Sequence, residues 1–319
     1  MGDRKFRLSG ADLDRAFDND EFALAWQPKV DVATGRVLGA EAFVRWQHPR
    51  HGLLLPGLFL ALVEAEGRVP DLAGFVFNDG LAAARRWMAE GRDWTLSLNV
   101  GPETVTASDF TEALAALLQD YGVEPARLVI ELPERAIVGE LARLSEALGE
   151  VRRLGVHVAL DGGGIVPADL DTLPAMPFTA VKIGGPASIR LAQRLGPDGR
   201  GAIATRLRQA RRQGLEAVAV GVEDEATMAG LAAIGFTAAQ GIWIHPPMTL
   251  DDLLGWDGTW ARHDGRAHRH PAPAPAPAVA PEPVDAAAPA EAPTALAHRP
   301  SGLKPRRPAV ATGNLQQAS

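Results

Sequence analysis

Cysteine is absent from the 319-residue chain, which excludes a disulfide scaffold and thiolate-based zinc or nucleophilic chemistry. Long apolar runs are missing too. The stretch 53–63 is broken by Pro56 and is too short to span a bilayer. No apolar segment follows the N-terminal charges, so no secretory signal is expected and the expected setting is cytoplasmic. Positive charge is not in excess: the formal net charge is −7, a poor footing for nucleic-acid binding. What remains, with 46% hydrophobic and 22% charged residues, is the composition of a globular protein.

Composition is uneven along the chain. Residues 271–297 are almost wholly Ala and Pro, and 11 of the 25 prolines lie between Pro271 and Pro308. Such a stretch offers few large side chains to bury, and proline blocks helix and sheet interiors. The reading is a disordered tail over 261–319, partly polyproline II, with a basic end at Arg299, Lys304, Arg306 and Arg307. From Arg262 onward the formal charge is +3, which leaves −10 for the rest. Two uses fit the tail: a solvated spacer, or a tether that docks on an acidic partner or an anionic membrane. Its histidines are scattered, which argues against a metal site.

The body alternates. Apolar runs of strand type fall at 23–26, 94–100, 127–131, 157–161, 180–183, 217–220 and 242–244, with an early strand through Glu41. Between them, 71–88, 108–121, 139–154, 187–213 and 225–234 carry helical spacing of apolar residues. Gly122, Gly155 and Gly214 sit where helix C-caps are expected, and Ser9 is a candidate N-cap for a lead-in helix within 1–21. Alternation over 22–260 predicts an α/β fold with a parallel sheet, a (β/α)8 barrel ahead of a doubly wound sheet. No G-x-G-x-x-G follows the first strand, which weakens the dinucleotide-binding alternative.

A barrel places active residues at the C-terminal ends of its strands. There the chain carries Glu41, Asn99, Glu131 followed by Glu134, Asp161, Lys182 and Glu223. Taken together these are hard oxygen donors suited to Mg²⁺ or Mn²⁺, and with such an ion a phosphate ester is the natural substrate. The other reading is a set of helix N-caps.

In order along the body, Gln27-Pro28, Glu41-Ala42-Phe43-Val44-Arg45-Trp46, Leu98-Asn99-Val100, Glu131-Leu132-Pro133-Glu134, Lys182-Ile183, Gly221-Val222-Glu223 and Gln240-Gly241 resemble the motifs of the EAL domain, a bacterial family that opens cyclic di-GMP to linear pGpG. The resemblance implies a TIM-like barrel with an irregular first strand, cyclic di-GMP as partner, and often a homodimer. It also implies roles. Glu41, Asn99, Glu131 and Asp161 match a first metal site, and Arg45 an arginine on the ligand phosphate. Lys182 matches a lysine near the attacking water, Glu134 a glutamate that braces the active-site loop, and Glu223 and Gln240 groups of the pocket. Ordinary structural roles stand beside these: loop salt bridges for Glu134 and Glu223, and stacking of Arg45 on Trp46.

Departures from the family pattern set the expectation for function. Gly162 stands where the pattern has a second aspartate, Gly184 where it has the aspartate of K-I-D, and Val220 where it has the first glutamate of E-G-V-E. His245-Pro246-Pro247 replaces S-R-P. Three carboxylates are thus missing from the two-metal site, which leaves a single site for Mg²⁺ or Mn²⁺ and a vestigial Lys182. Asp169 and Asp171 are read as helix-start carboxylates rather than substitutes. The triple glycine 162–164 costs entropy to order, and an anion-cradling nest there is the weaker alternative. The expectation is a degenerate EAL protein that binds cyclic di-GMP, or a protein partner, without efficient hydrolysis. The alternatives are an active or weakly active phosphodiesterase, and a scaffold that binds no nucleotide. With seven residues ahead of Leu8, input is expected through the tail, a partner or expression level.

Overall fold

In the computed structural model, which describes residues 7–134, 141–163, 176–184, 197–256 and 302–304, the barrel opens with a hairpin. β1 (Phe22–Asp31) and β2 (Val37–His48) pair antiparallel from Phe22 opposite Trp46 to Val30 opposite Val37. Only residues 32–36 join them, and a parallel crossover needs a dozen or more. This antiparallel β1 is the irregular first strand that the resemblance implies, within a sheet that is otherwise parallel around the barrel. β4 (Thr95–Asn99), β5 (Leu128–Pro133), β6 (His157–Gly163), β7 (Ala180–Gly184), β8 (Glu216–Val220) and β9 (Ala238–Gln240) then follow in parallel. β9 pairs antiparallel with β1, so eight strands close into a barrel. The short β3 (Gly52–Leu54) lies outside, on the edge of β2.

The last strand falls earlier than expected. Residues 242–244 form a turn and Ile242 is 56% exposed, while Ala238-Ala239-Gln240 is the strand. Its two alanines, fully buried between β8 and β1, carry no β-branched signal, because packing rather than propensity makes them a strand.

The lead-in helix α1 (Gly10–Asp18) starts at Ser9 with a capping box: Ser9 accepts from the Asp12 amide, and Asp12 accepts from the Ser9 amide. Helices α2 (Leu60–Ala65) and α3 (Val69–Ala89) connect the hairpin region to β4. α4 (Pro102–Val105), α5 (Phe110–Tyr121), α6 (Leu141–Arg153), α7 (Pro197–Arg212) and α8 (Glu225–Ile234) form the outer layer, and α9 (Leu250–Gly255) follows β9. α5 ends on Gly122 at φ 65°, a left-handed position that glycine reaches without a Cβ clash. Among the described residues no helix is long and apolar enough to cross a membrane.

The main core joins the barrel walls to the outer helices through side chains such as Phe77, Leu81, Trp87, Leu96 and Leu98. Full burial of each large side chain contributes about 1.5–3 kcal/mol. A second cluster of Leu13, Ala16, Phe22, Trp46, Phe59 and Phe75 fastens α1 to the hairpin. Trp46 is fully buried there and donates its indole N–H to Glu21 at 2.8 Å. Inside the barrel, small residues such as Ala159, Thr179 and Ala180 leave a cavity of about 90 Å³ between Lys29, His157 and Glu216 below and Glu131, Lys182 and Gln240 above.

Asp169 and Asp171 lie outside the described residues, as does the tail apart from one segment. Gly302–Lys304 packs on the barrel with Leu303 4% exposed. Within the tail, this large apolar side chain has a buried seat.

Candidate ligand site at the barrel mouth

Alternation along β2 puts Glu41, Phe43 and Arg45 on one face and Ala42, Val44 and Trp46 on the other. The first face turns Glu41 into the barrel, where it is 3% exposed. Its carboxylate takes three donors: Asn99 Nδ2 at 2.7 Å on one oxygen, Lys182 Nζ at 2.6 Å and Gln240 Nε2 at 2.8 Å on the other. Gln240 also donates to Gln27 Oε1 at 3.0 Å, and Gln27 donates to the His245 carbonyl at 3.0 Å. Gly241 lets this end of β9 approach the loop after β8, because a Cβ on it would stand 2.2 Å from the Val222 carbonyl oxygen.

Lys182 bridges two buried carboxylates. Its ammonium donates to Glu131 Oε2 at 2.6 Å as well as to Glu41, and lies 3.9 Å from Asp161 Oδ1. The Glu41 and Glu131 side chains are 4% and 5% exposed, that of Asp161 33%. Burial, then the charge of Glu41, pushes the Glu131 carboxyl up to about 7. Burial pushes Glu41 the same way, but Lys182, Asn99 and Gln240 outweigh it and hold Glu41 below its usual range. Burial would lower the Lys182 pKa, yet Glu131 and Glu41 hold the ammonium protonated well above its ordinary value. One cation therefore faces two buried carboxylates and a third at the rim. The cluster keeps a net negative charge that disfavours an incoming phosphate unless another cation joins it.

The donor set of Glu41, Asn99, Glu131 and Asp161 suits a hard divalent ion. In the structure the ammonium takes the central place, and among the described residues no three acidic or histidine side chains converge as metal ligands.

Other expected site residues stand apart from this network. Arg45 is partly buried, donates to the Val44 carbonyl at 2.9 Å, and has its guanidinium carbon 5.6 Å from the Phe43 ring centre. Stacking on Trp46 is excluded, since the two side chains leave opposite faces of β2. Glu134 accepts from Arg206 Nη2 at 3.0 Å, tying the end of β5 to α7. The sequence reading missed Arg206, which is 2% exposed. Its signal was present: it falls on the buried stripe of Ile203, Leu207 and Ala210. Glu223 lies partly buried in the loop after β8.

The substituted positions form one side of the mouth. Gly184 and Val220 are register partners at the ends of β7 and β8. Gly162 lies in an irregularity of β6 beside Glu134. Gly162 and Gly184 adopt φ of 112° and 113°, where an L-aspartate is strained.

Comparison with known proteins gives a consistent picture. A family model described as EAL domain matches residues 11–247. The cyclic di-GMP phosphodiesterase RocR of Pseudomonas aeruginosa is 31% identical over 248 residues, covering 78% of this chain and 63% of RocR. The bifunctional diguanylate cyclase/cyclic di-GMP phosphodiesterase MucR of the same organism is 28% identical over 244 residues, covering 76% of this chain and 35% of MucR. This chain thus spans less than two thirds of either relative. A solved structure of the MucR phosphodiesterase in complex with c-di-GMP aligns with a TM-score of 0.70 at 27% identity, covering 76% of this chain and 98% of that one.

Proposed function

The chain belongs to the EAL domain family, and from that premise we propose that it is a degenerate member that binds cyclic di-GMP without efficient hydrolysis. The observation that carries this reading is the asymmetry of the mouth. Carboxylates remain over β2, β5 and the start of the β6 irregularity, while Gly162, Gly184 and Val220 leave the β6–β8 side without any at those positions. Two-metal hydrolysis needs ligands for two ions about 3.5–4 Å apart. Here residues matching one site remain in the sequence, with the Lys182 ammonium among them.

Mg²⁺ or Mn²⁺ would be held by Glu41, Asn99, Glu131 and Asp161, and would supply charge to a phosphoryl oxygen. The chain's own residues do the rest. Arg45, on the same face of β2 as Glu41, presents a planar fork that suits a phosphate diester. Gln240 and Gln27 fix the orientation of Glu41. The Glu134–Arg206 pair braces the chain beside Gly162. Lys182 holds the Glu41 and Glu131 carboxylates together.

Calorimetry of the full chain with cyclic di-GMP, with and without Mg²⁺ or Mn²⁺, tests this when paired with chromatography for pGpG. Binding without product is expected. Multiple turnovers to pGpG would restore the phosphodiesterase reading. No binding at tens of micromolar would leave a protein-interaction surface.

A further inference from the structure

Three described residues near the C-terminus, Gly302–Lys304, lie on α3, separated in sequence from the rest of the described chain by residues 257–301. They meet the helix along one stripe, Pro70, Gly74 and Asn78, spaced by four. Each contact is fitted. A Cβ on Gly302 would stand 2.0 Å from the Pro70 carbonyl oxygen, and Gly302 has φ 75°, so only glycine is accommodated. A Cβ on Gly74 would stand 2.6 Å from the Gly302 carbonyl oxygen and within 4 Å of nothing outside Gly302. Leu303 is 4% exposed and joins the main core.

Asn78 marks the surface as built for a peptide. It is 2% exposed, and a buried amide needs partners. Its Nδ2 donates to the Gly74 carbonyl at 2.7 Å and to the Lys304 carbonyl at 2.9 Å, while its Oδ1 accepts from the Tyr121 hydroxyl at 3.0 Å. The arm therefore supplies an acceptor to a side chain that α3 and α5 have already oriented.

We propose that the α3 face of Pro70, Gly74 and Asn78 is a docking site for a short Gly-Leu-Lys peptide, occupied in cis by the chain's own Gly302-Leu303-Lys304. Glycine and leucine give the specificity, and the backbone carbonyl of the lysine takes the amide of Asn78. Covalent attachment to the same chain raises the local concentration of this segment at its seat, so even a weak peptide contact stays filled.

Tyr121 is the sole tyrosine of the chain, so 3-fluorotyrosine labelling gives one 19F resonance, next to the dock. The full chain is compared with Leu303→Asp and with Gly74→Ala, the latter a favourable change for a helix. Both variants should shift the resonance and raise hydrogen exchange at 302–304 at least tenfold. Millimolar synthetic peptide spanning residues 298–308 should return the Leu303→Asp protein to the wild-type resonance. It should leave Gly74→Ala unchanged, because the added methyl blocks the seat. A wild-type resonance in Gly74→Ala would overturn the proposal. So would failure of the peptide to restore Leu303→Asp, or equal restoration by a peptide carrying the same Leu→Asp change.

Discussion

Replacing Lys182 with methionine keeps an unbranched, flexible side chain one atom shorter and removes its charge. Glu41 and Glu131 then face each other with no ammonium between them, both side chains 5% exposed or less. Removing one partner from a buried ionic cluster costs about 3–5 kcal/mol. In a domain of this size each kcal/mol lowers Tm by about 2–4 °C, so thermal unfolding in chelator at pH 7.5 should fall by about 6–20 °C. The sign of the pH dependence follows from Glu131. Its carboxyl rises from an ordinary 4.5 to about 7 on folding, so it favours the folded state below pH 4.5 and loses that contribution as pH passes 7. Without Lys182 the carboxyl rises further. The deficit of Lys182→Met relative to wild type should therefore be smallest near pH 6 and grow toward pH 9. A divalent ion should refill the vacated place. At 100 times its Kd it adds about 2.7 kcal/mol, and the variant should gain more than the wild type, whose ammonium competes. A Tm within 2 °C of wild type in chelator, on the scale of about 1 kcal/mol or less, would refute the compensating role of Lys182. An equal gain from metal in both proteins would refute the competition.

Arg45→Ala should weaken cyclic di-GMP binding by roughly 10–150-fold, the worth of a charge-assisted contact of about 1.5–3 kcal/mol, with Tm unchanged; calorimetry and a melting curve read both. Restoring carboxylates by Gly162→Asp, Gly184→Asp and Val220→Glu together should not restore pGpG formation, because the two glycines sit at φ near 112°. Strain of about 1–3 kcal/mol per aspartate should lower Tm, and turnover with unchanged Tm would show that only ligands were lost. Asp12 is held well below the carboxylate range by Arg15 and then by Ser9. Its contribution is present above its unfolded value of 3.8 and lost as pH falls below it, so Asp12→Asn should narrow its stability gap to wild type under urea between pH 5 and pH 2.

The strands with β-branched residues and following glycine caps were legible. Leu128–Pro133 and Glu216–Val220 announce themselves by pattern, and Gly122 and Gly214 by position. What misled was size and connection. Ala238-Ala239-Gln240 has no strand signature, so the apolar 242–244 took its place in the reading. The antiparallel β1 was written in the length of 32–36 rather than in any residue type. At the mouth, the residue types and strand ends were readable, but the reach of Lys182 across the barrel to Glu41 was not, since it depends on closure bringing β7 opposite β2. Arg206 was hidden because a charged residue on a helix is ordinarily read as solvent-facing. The seat of Leu303 was hidden by the composition around it.

The most direct test is titration of the full chain with cyclic di-GMP in Mn²⁺, followed by chromatography of the same mixture. A saturable heat, lost on addition of chelator and in Arg45→Ala, with the nucleotide recovered intact, is the expected result. Recovery of pGpG over many turnovers would contradict the claim that the glycine and valine side of the mouth has lost the second metal site.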